Sequence, residues 1–283
     1  MKRRNIERTT EFSTQISREC GFYGLQGLCR NKQGDYTIAV EAVDMENDPV
    51  DSFTSVIGEE EIFVKACFAE KVGAVFTLLI HKDEAGESFV YVRQYAPDRA
   101  AGRAVCTTEE KMSEQSFMEW WKERKYGKQI NSYRNDLNIG TGEKYFDNLL
   151  ESNGSSWPAG IDGFITSKDE AGNTVIGALI ENRIADKCKV KSYNTNRYFG
   201  RDYKTWVASI KLARALSAPL FLCTYSRKKG QEQYMGIGQI VSADEEGLVF
   251  KDKVRPDKNV KSSVEEVREW INKEILEFRN NKS

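Results

Sequence analysis

The chain has 283 residues, 40% of them hydrophobic and 30% charged, and a formal net charge of −1. That length can hold one large domain or two smaller ones with ample core, and the composition is ordinary for a soluble globular protein. A single histidine, His81, gives little support for a histidine-based triad or a multi-histidine metal site. By elimination, catalysis in this chain would rest on carboxylates, lysines and metal.

The opening MKRRNIERTTEF is basic but has no apolar stretch behind it, so no signal peptide is expected. The longest apolar run, Val72 to Ile80, is far too short to span a bilayer. Six scattered cysteines (20, 29, 67, 106, 188 and 223) form no CxxC pair. This favours reduced, structural thiols in a cytoplasmic protein over a zinc site or a disulfide framework.

Residues 1–105 read as a β-rich accessory region. Four runs have strand character: YTIAVEAV, EEIFVKACF, GAVFTLLIH and ESFVYVRQY, with acidic or glycine-containing links between them. No chemical motif is visible there. Residues 106–283 read as an α/β domain. Thr107-Thr108-Glu109-Glu110 offers a capping box for a helix carrying Met112, Phe117, Trp120 and Trp121 to about Arg124. After a polar, glycine-bearing stretch, Thr141-Gly142-Glu143 leads into the helix KYFDNLLESNG, with Gly154 as its stop.

The stretch from Ile161 to Arg183, IDGFITSKDEAGNTVIGALIENR, is the most informative. Two strand-like runs flank a turn-forming DEAGN segment, and the midpoint of Asp162 and Glu181 falls between Ala171 and Gly172. A regular antiparallel hairpin would therefore oppose the two carboxylates, with Cβ atoms roughly 5 Å apart on one face. Carboxylates that close repel unless a proton or a cation lies between them, and a divalent metal with oxygen ligands is the useful solution. The second arm, VIGALI, is continuously apolar, as suits a central strand.

A helix YKTWVASIKLARALS follows from Arg201-Asp202, with Tyr203, Trp206, Val207, Ile210 and Ala213 as its buried stripe. Lys204 and Lys211 lie one heptad apart on another face. APLFLCTYS, YMGIGQIV and GLVFKDKV read as strands, and an S-x-x-E box at Ser263 and Glu266 opens a last helix running to Phe278. Charge is unevenly spread. Ala39 to Ser88 holds twelve acids against three lysines, whereas Asn182 to Gly230 holds twelve Lys and Arg against two Asp and no Glu. Such a basic block is either a solvated surface or the footprint expected for a phosphate backbone.

Helix, hairpin with Asp and Glu-x-Arg, loop, helix, strand: over roughly Gly140 to Ser226 the sequence resembles the restriction-endonuclease-like, or PD-(D/E)xK, nuclease superfamily. The resemblance rests on IDGFI, ALIENR and the YFGRDYKTW…PLFLCTYS helix–strand pair. It implies a mixed central sheet flanked by helices. It also implies Asp162 and Glu181 as ligands of Mg²⁺ (Mn²⁺ as substitute), Glu143 as an acid joining from the preceding helix, and Arg183 at the position of the motif's lysine. A guanidinium stays protonated, so Arg183 cannot accept a proton from water, but it can stabilise negative charge in the transition state. Lys187, Lys189, Lys191 and Lys211 are candidates to stand in for the lysine, and with Lys204 they are the expected nucleic-acid contacts. The function implied is a metal-dependent DNA endonuclease of restriction or phage-defence type, cutting double-stranded DNA away from any membrane. One such site per chain would favour a homodimer for double-strand cutting. The alternative is a degenerate nuclease fold that binds nucleic acid without cleaving it.

Overall fold

The computed structural model describes residues 10–45, 49–125, 144–158, 160–185, 188–196 and 199–281. The chain divides into two compact units, one built on Gly24–Ile161 and the other on Glu7–Tyr23 together with Asp162–Ser283. This division differs from the expected boundary at residue 105, and the reason lies in pairing. Strand β6 and the two helices after it complete the first unit's sheet and core.

In chain order the elements are α1 (Glu11–Glu19), β1 (Tyr23–Leu25), β2 (Gly27–Arg30), β3 (Tyr36–Asp44), α2 (Glu59–Lys71), β4 (Val75–Glu84), β5 (Glu87–Asp98), β6 (Arg103–Ser113), α3 (Glu114–Arg124) and α4 (Lys144–Ser152). They continue as β7 (Ile161–Lys168), β8 (Thr174–Ile184), α5 (Phe199–Leu216), β9 (Leu220–Tyr225), β10 (Met235–Ala243), β11 (Leu248–Phe250), β12 (Val260–Lys261) and α6 (Val264–Asn280).

The first unit is an α/β layer structure rather than a purely β-rich one. Its five-stranded sheet runs β2-β3-β4-β5-β6, with β3 and β4 parallel and the other pairs antiparallel. The run EEIFVKACF, predicted as a strand, is the body of α2, the crossover between the parallel pair. Every residue from Ile62 to Ala69 is buried, so the helix shows no polar face that would betray its period. Thr107 to Glu110, predicted to cap a helix, lie instead within β6, paired to β5. The cap is Ser113, whose hydroxyl accepts from the Ser116 amide. On one face of the sheet Ile38, Val40, Leu79 and Val92 pack with Phe117 and Trp121 of α3, Phe146 and Leu150 of α4, and Trp157. Fully burying such side chains stabilises by about 1.5–3 kcal/mol each.

The second unit's sheet is also mixed: β7 and β8 form a hairpin, β8 and β9 are parallel with α5 as crossover, and β10 returns antiparallel to β9. β11 and β12 pair with β10, and Tyr23 of β1 packs its ring on Phe164 of β7. Ile16 of α1 and Val267, Ile271 and Ile275 of α6 cover one face, over Ile180, Phe221, Cys223 and Ile237. The predicted Ser263–Glu266 capping box is present at the start of α6. Close packing extends to the backbone: a Cβ at Gly236 would sit 2.5 Å from the Pro256 carbonyl oxygen. The architecture is therefore α/β, with mixed sheets flanked by helices. Among the described residues no helix is long and apolar enough to cross a membrane.

Candidate active site

Hairpin register sets the site. Gly163 pairs with Ile180 and Phe164 with Leu179, so the next step towards the open end places Asp162 across from Glu181. The hairpin is not regular throughout. A bulge between Ile165 and Thr166 lets Lys168 pair with Thr174, leaving a five-residue turn from Asp169 to Asn173 with Gly172 at φ 81°. The turn is centred on Ala171, so pairing without the bulge would set Asp162 across from Ile180; the bulge supplies the one-residue shift that brings Glu181 opposite it.

Asp162 is exposed, and one of its oxygens accepts from the Asn182 amide at 2.9 Å. Glu181 is half-buried, and its Oε1 accepts from the Ser209 hydroxyl at 2.7 Å. The two carboxyl groups lie within hydrogen-bonding reach of each other. Burial, and then the Asp162 charge, push the Glu181 carboxyl up to about 8; Ser209 and Arg183 pull the other way without cancelling the shift. A cation placed between the two carboxyls would relieve the repulsion that drives this shift.

Arg183 lies two residues on from Glu181 along the same face of β8. Its guanidinium sits 4.6 Å over the Trp206 ring and 3.7 Å from the Asp202 carboxylate. Asp202, Trp206 and Ser209 occupy positions i, i+4 and i+7 of α5, one face of the helix, and all three are turned onto β8. Neither Ser209 nor Asp202 was among the expected site residues. Trp206 was expected only as core. The signal available was two polar residues on the same helical stripe as a buried tryptophan. Tyr203, assigned to that stripe, is instead 43% exposed.

Lys189 and Lys191 are exposed, beside and within a short 3₁₀ turn (Val190–Ser192) after β8. Lys204 and Lys211 are exposed on α5. At about 100° per residue they project roughly opposite to Asp202, Trp206 and Ser209. The structure therefore does not bring these two lysines to the carboxylate pair. Glu143 and Lys187 lie outside the described residues.

Two carboxylates with an open, solvent-facing side suit Mg²⁺, which commonly takes one or two carboxylates and completes its shell with water and phosphate oxygens. They do not make a closed protein cage: among the described residues no group of three or more His, Cys, Asp or Glu is placed to hold a metal. No family model matches the chain, and no curated protein matches it. Among solved structures, a CN-hydrolase superfamily protein from Xanthomonas campestris, described with an arsenic adduct in its active site, aligns over 90% of this chain and 96% of its own. The identity is 11% and the TM-score 0.16, too low to carry an argument about fold or chemistry.

Proposed function

We propose that this chain is a divalent-metal-dependent nuclease that hydrolyses phosphodiester bonds, with double-stranded DNA as substrate and restriction or phage defence as its setting. The reading is supported above all by the opposed Asp162–Glu181 pair, aligned by the hairpin, whose mutual repulsion Arg183 does not cancel. Asp162 and Glu181 would hold the ion, and Ser209 fixes the rotamer of Glu181. Bound there, Mg²⁺ or Mn²⁺ would supply a more acidic water and neutralise phosphate charge. Arg183, a permanent cation two residues from the ligand, offsets negative charge growing on the phosphate. The order β7, β8, α5, β9 is the one the sequence resemblance to the restriction-endonuclease-like superfamily implied, while α4 before it packs in the first unit's core.

A second reading, nucleic-acid binding without cleavage, is favoured by one observation. The residue at the motif's lysine position is an arginine already engaged by Asp202 and Trp206. A time course on supercoiled plasmid and mixed linear DNA with Mg²⁺, Mn²⁺ or EDTA separates the two. Metal-dependent fragments from the wild type and none from Asp162→Ala are expected. Binding with no turnover in either metal would select the second reading.

A further inference from the structure

The basic block from Asn182 to Gly230 is one feature in the sequence but two in the structure. Part of it, Lys204 and Lys211, lies on the solvent side of α5. Four more of its lysines lie on two short segments after the ends of β8 and β9, and a buried serine fastens these segments together. Ser226 is fully buried, and its hydroxyl lies 2.9 Å from the Ala185 carbonyl oxygen and 3.0 Å from that of Cys188. The same oxygen accepts from the Lys228 amide at 3.1 Å. Beside it the Ala185 amide donates to the Tyr225 carbonyl at 2.7 Å, extending the parallel pairing that ends at Ile184 and Tyr225. One segment displays Lys189 and Lys191, the other Lys228 and Lys229, and all four are exposed.

The first segment is also anchored at its far end. Asn196 accepts from the Leu248 amide at 3.2 Å, and Gly247 passes so close that a Cβ there would meet the Asn196 side chain at 2.0 Å. These segments sit at a defined place. β8 and β9 are parallel and both finish here, while β7, antiparallel to β8, begins here with Asp162. The carboxylate pair and the four lysines therefore share one end of the sheet.

We infer that the Ser226-fastened segments carrying Lys189, Lys191, Lys228 and Lys229 form the phosphate-contacting surface for a nucleic-acid backbone, and that the α5 lysines do not. The inference rests on the nuclease reading only for the class of its ligand, since a backbone can be held without being cut. Fixed lysines beside a site neutralise phosphates at lower ordering cost than lysines on mobile chain.

The test is fluorescence anisotropy with labelled duplex DNA, single-stranded DNA and RNA of one sequence, in EDTA across a salt series. It compares wild type with Lys189→Glu/Lys191→Glu, Lys228→Glu/Lys229→Glu and Lys204→Glu/Lys211→Glu, each checked for an unchanged melting temperature. Matched Lys→Gln pairs serve where a charge reversal disturbs folding. Each segment pair should weaken binding about tenfold or more and lower the log–log salt slope by roughly 2, whereas the α5 pair should change affinity less than about threefold. Loss confined to the α5 pair would overturn the inference, as would a wild type with no salt-sensitive affinity for any probe. Binding lost in the segment pairs, with no cleavage under any metal, would uphold it while removing the catalytic reading.

Discussion

Both units of the molecule contain a parallel strand pair joined by a helix, and in each a strand glutamate is turned towards that helix. In the first unit Glu41 of β3 meets Lys65 of α2, whose ammonium lies 2.9 Å from Glu41 and 2.7 Å from Glu61. In the second, Glu181 of β8 meets Ser209 of α5, and its charged neighbours are a second carboxylate, Asp162, and the weaker-acting Arg183. Burial alone would pull Lys65 down, but the two glutamates outweigh it and hold the ammonium charged. Around Glu181 burial and Asp162 act together, and the carboxyl is driven up. One cluster is neutralised from within, as a structural element must be. In the other Arg183 does not offset burial and the Asp162 charge, which is the imbalance that the metal-dependent reading proposed above would use.

The sharpest way to break the comparison is to remove the internal cation. Lys65→Met should strand two carboxylates in the first unit and lower stability by about 3–5 kcal/mol, read as a fall in urea midpoint. A neutral outcome would mean that the Glu41 cluster is not held by charge.

Next in size is the pH response of the second unit. A carboxyl raised in the folded state favours folding while it is protonated, and that contribution is lost as pH rises from its unfolded value of 4.5 through about 8. Metal-free protein should therefore lose more than about 1 kcal/mol across this window, and Glu181→Gln should flatten the loss. Added Mg²⁺ should restore stability at pH 8 to 9 in the wild type and not in Glu181→Gln. An identical pH profile in both proteins would place the shift elsewhere.

The smallest expected effect on stability is that of Arg183→Lys. Arg183 and Asp202 are both partly exposed, and their pairing at 3.7 Å contributes less than about 1 kcal/mol. The rate is the informative readout: a lysine able to shed its proton should raise turnover several-fold if proton acceptance is limiting. Unchanged turnover with an unchanged melting temperature would show that the position serves charge stabilisation alone.

Much of the second unit was legible because its elements obey single periodicities. The hairpin arms and the Ser263 capping box each follow from a few neighbouring residues. Counting placed Asp162 opposite Glu181 for a regular hairpin centred between Ala171 and Gly172; the turn is centred on Ala171 instead, and the bulge beyond Ile165 makes up the missing residue. The first unit was harder to read for two opposite reasons. α2 is buried on all sides over Ile62 to Ala69 and apolar there but for Lys65, so its short runs cannot separate helix from strand. β6 is exposed over nearly its whole length, so it lacks the alternation that marks a half-buried strand. Ser209 escaped notice because a serine in a helix has no signature until the strand it faces is known. The unit boundary was invisible for a similar reason. It depends on α1 packing with α6, a contact such as Arg268 with Glu19 at 3.2 Å that spans most of the chain.

That last arrangement has a bearing on how the protein is made. The second unit draws on two stretches separated by the whole of Gly24–Ile161. During vectorial synthesis the first unit's sheet and both its helical layers are complete in the emerging chain before β7 appears. α1 must wait through all of it with Ile16 uncovered, because the strands and the helix that bury it come from Ile165 onward and from α6. A chain stalled before Ile271 would present a finished first unit together with an α1 whose Ile16 has not yet met the helix that covers it.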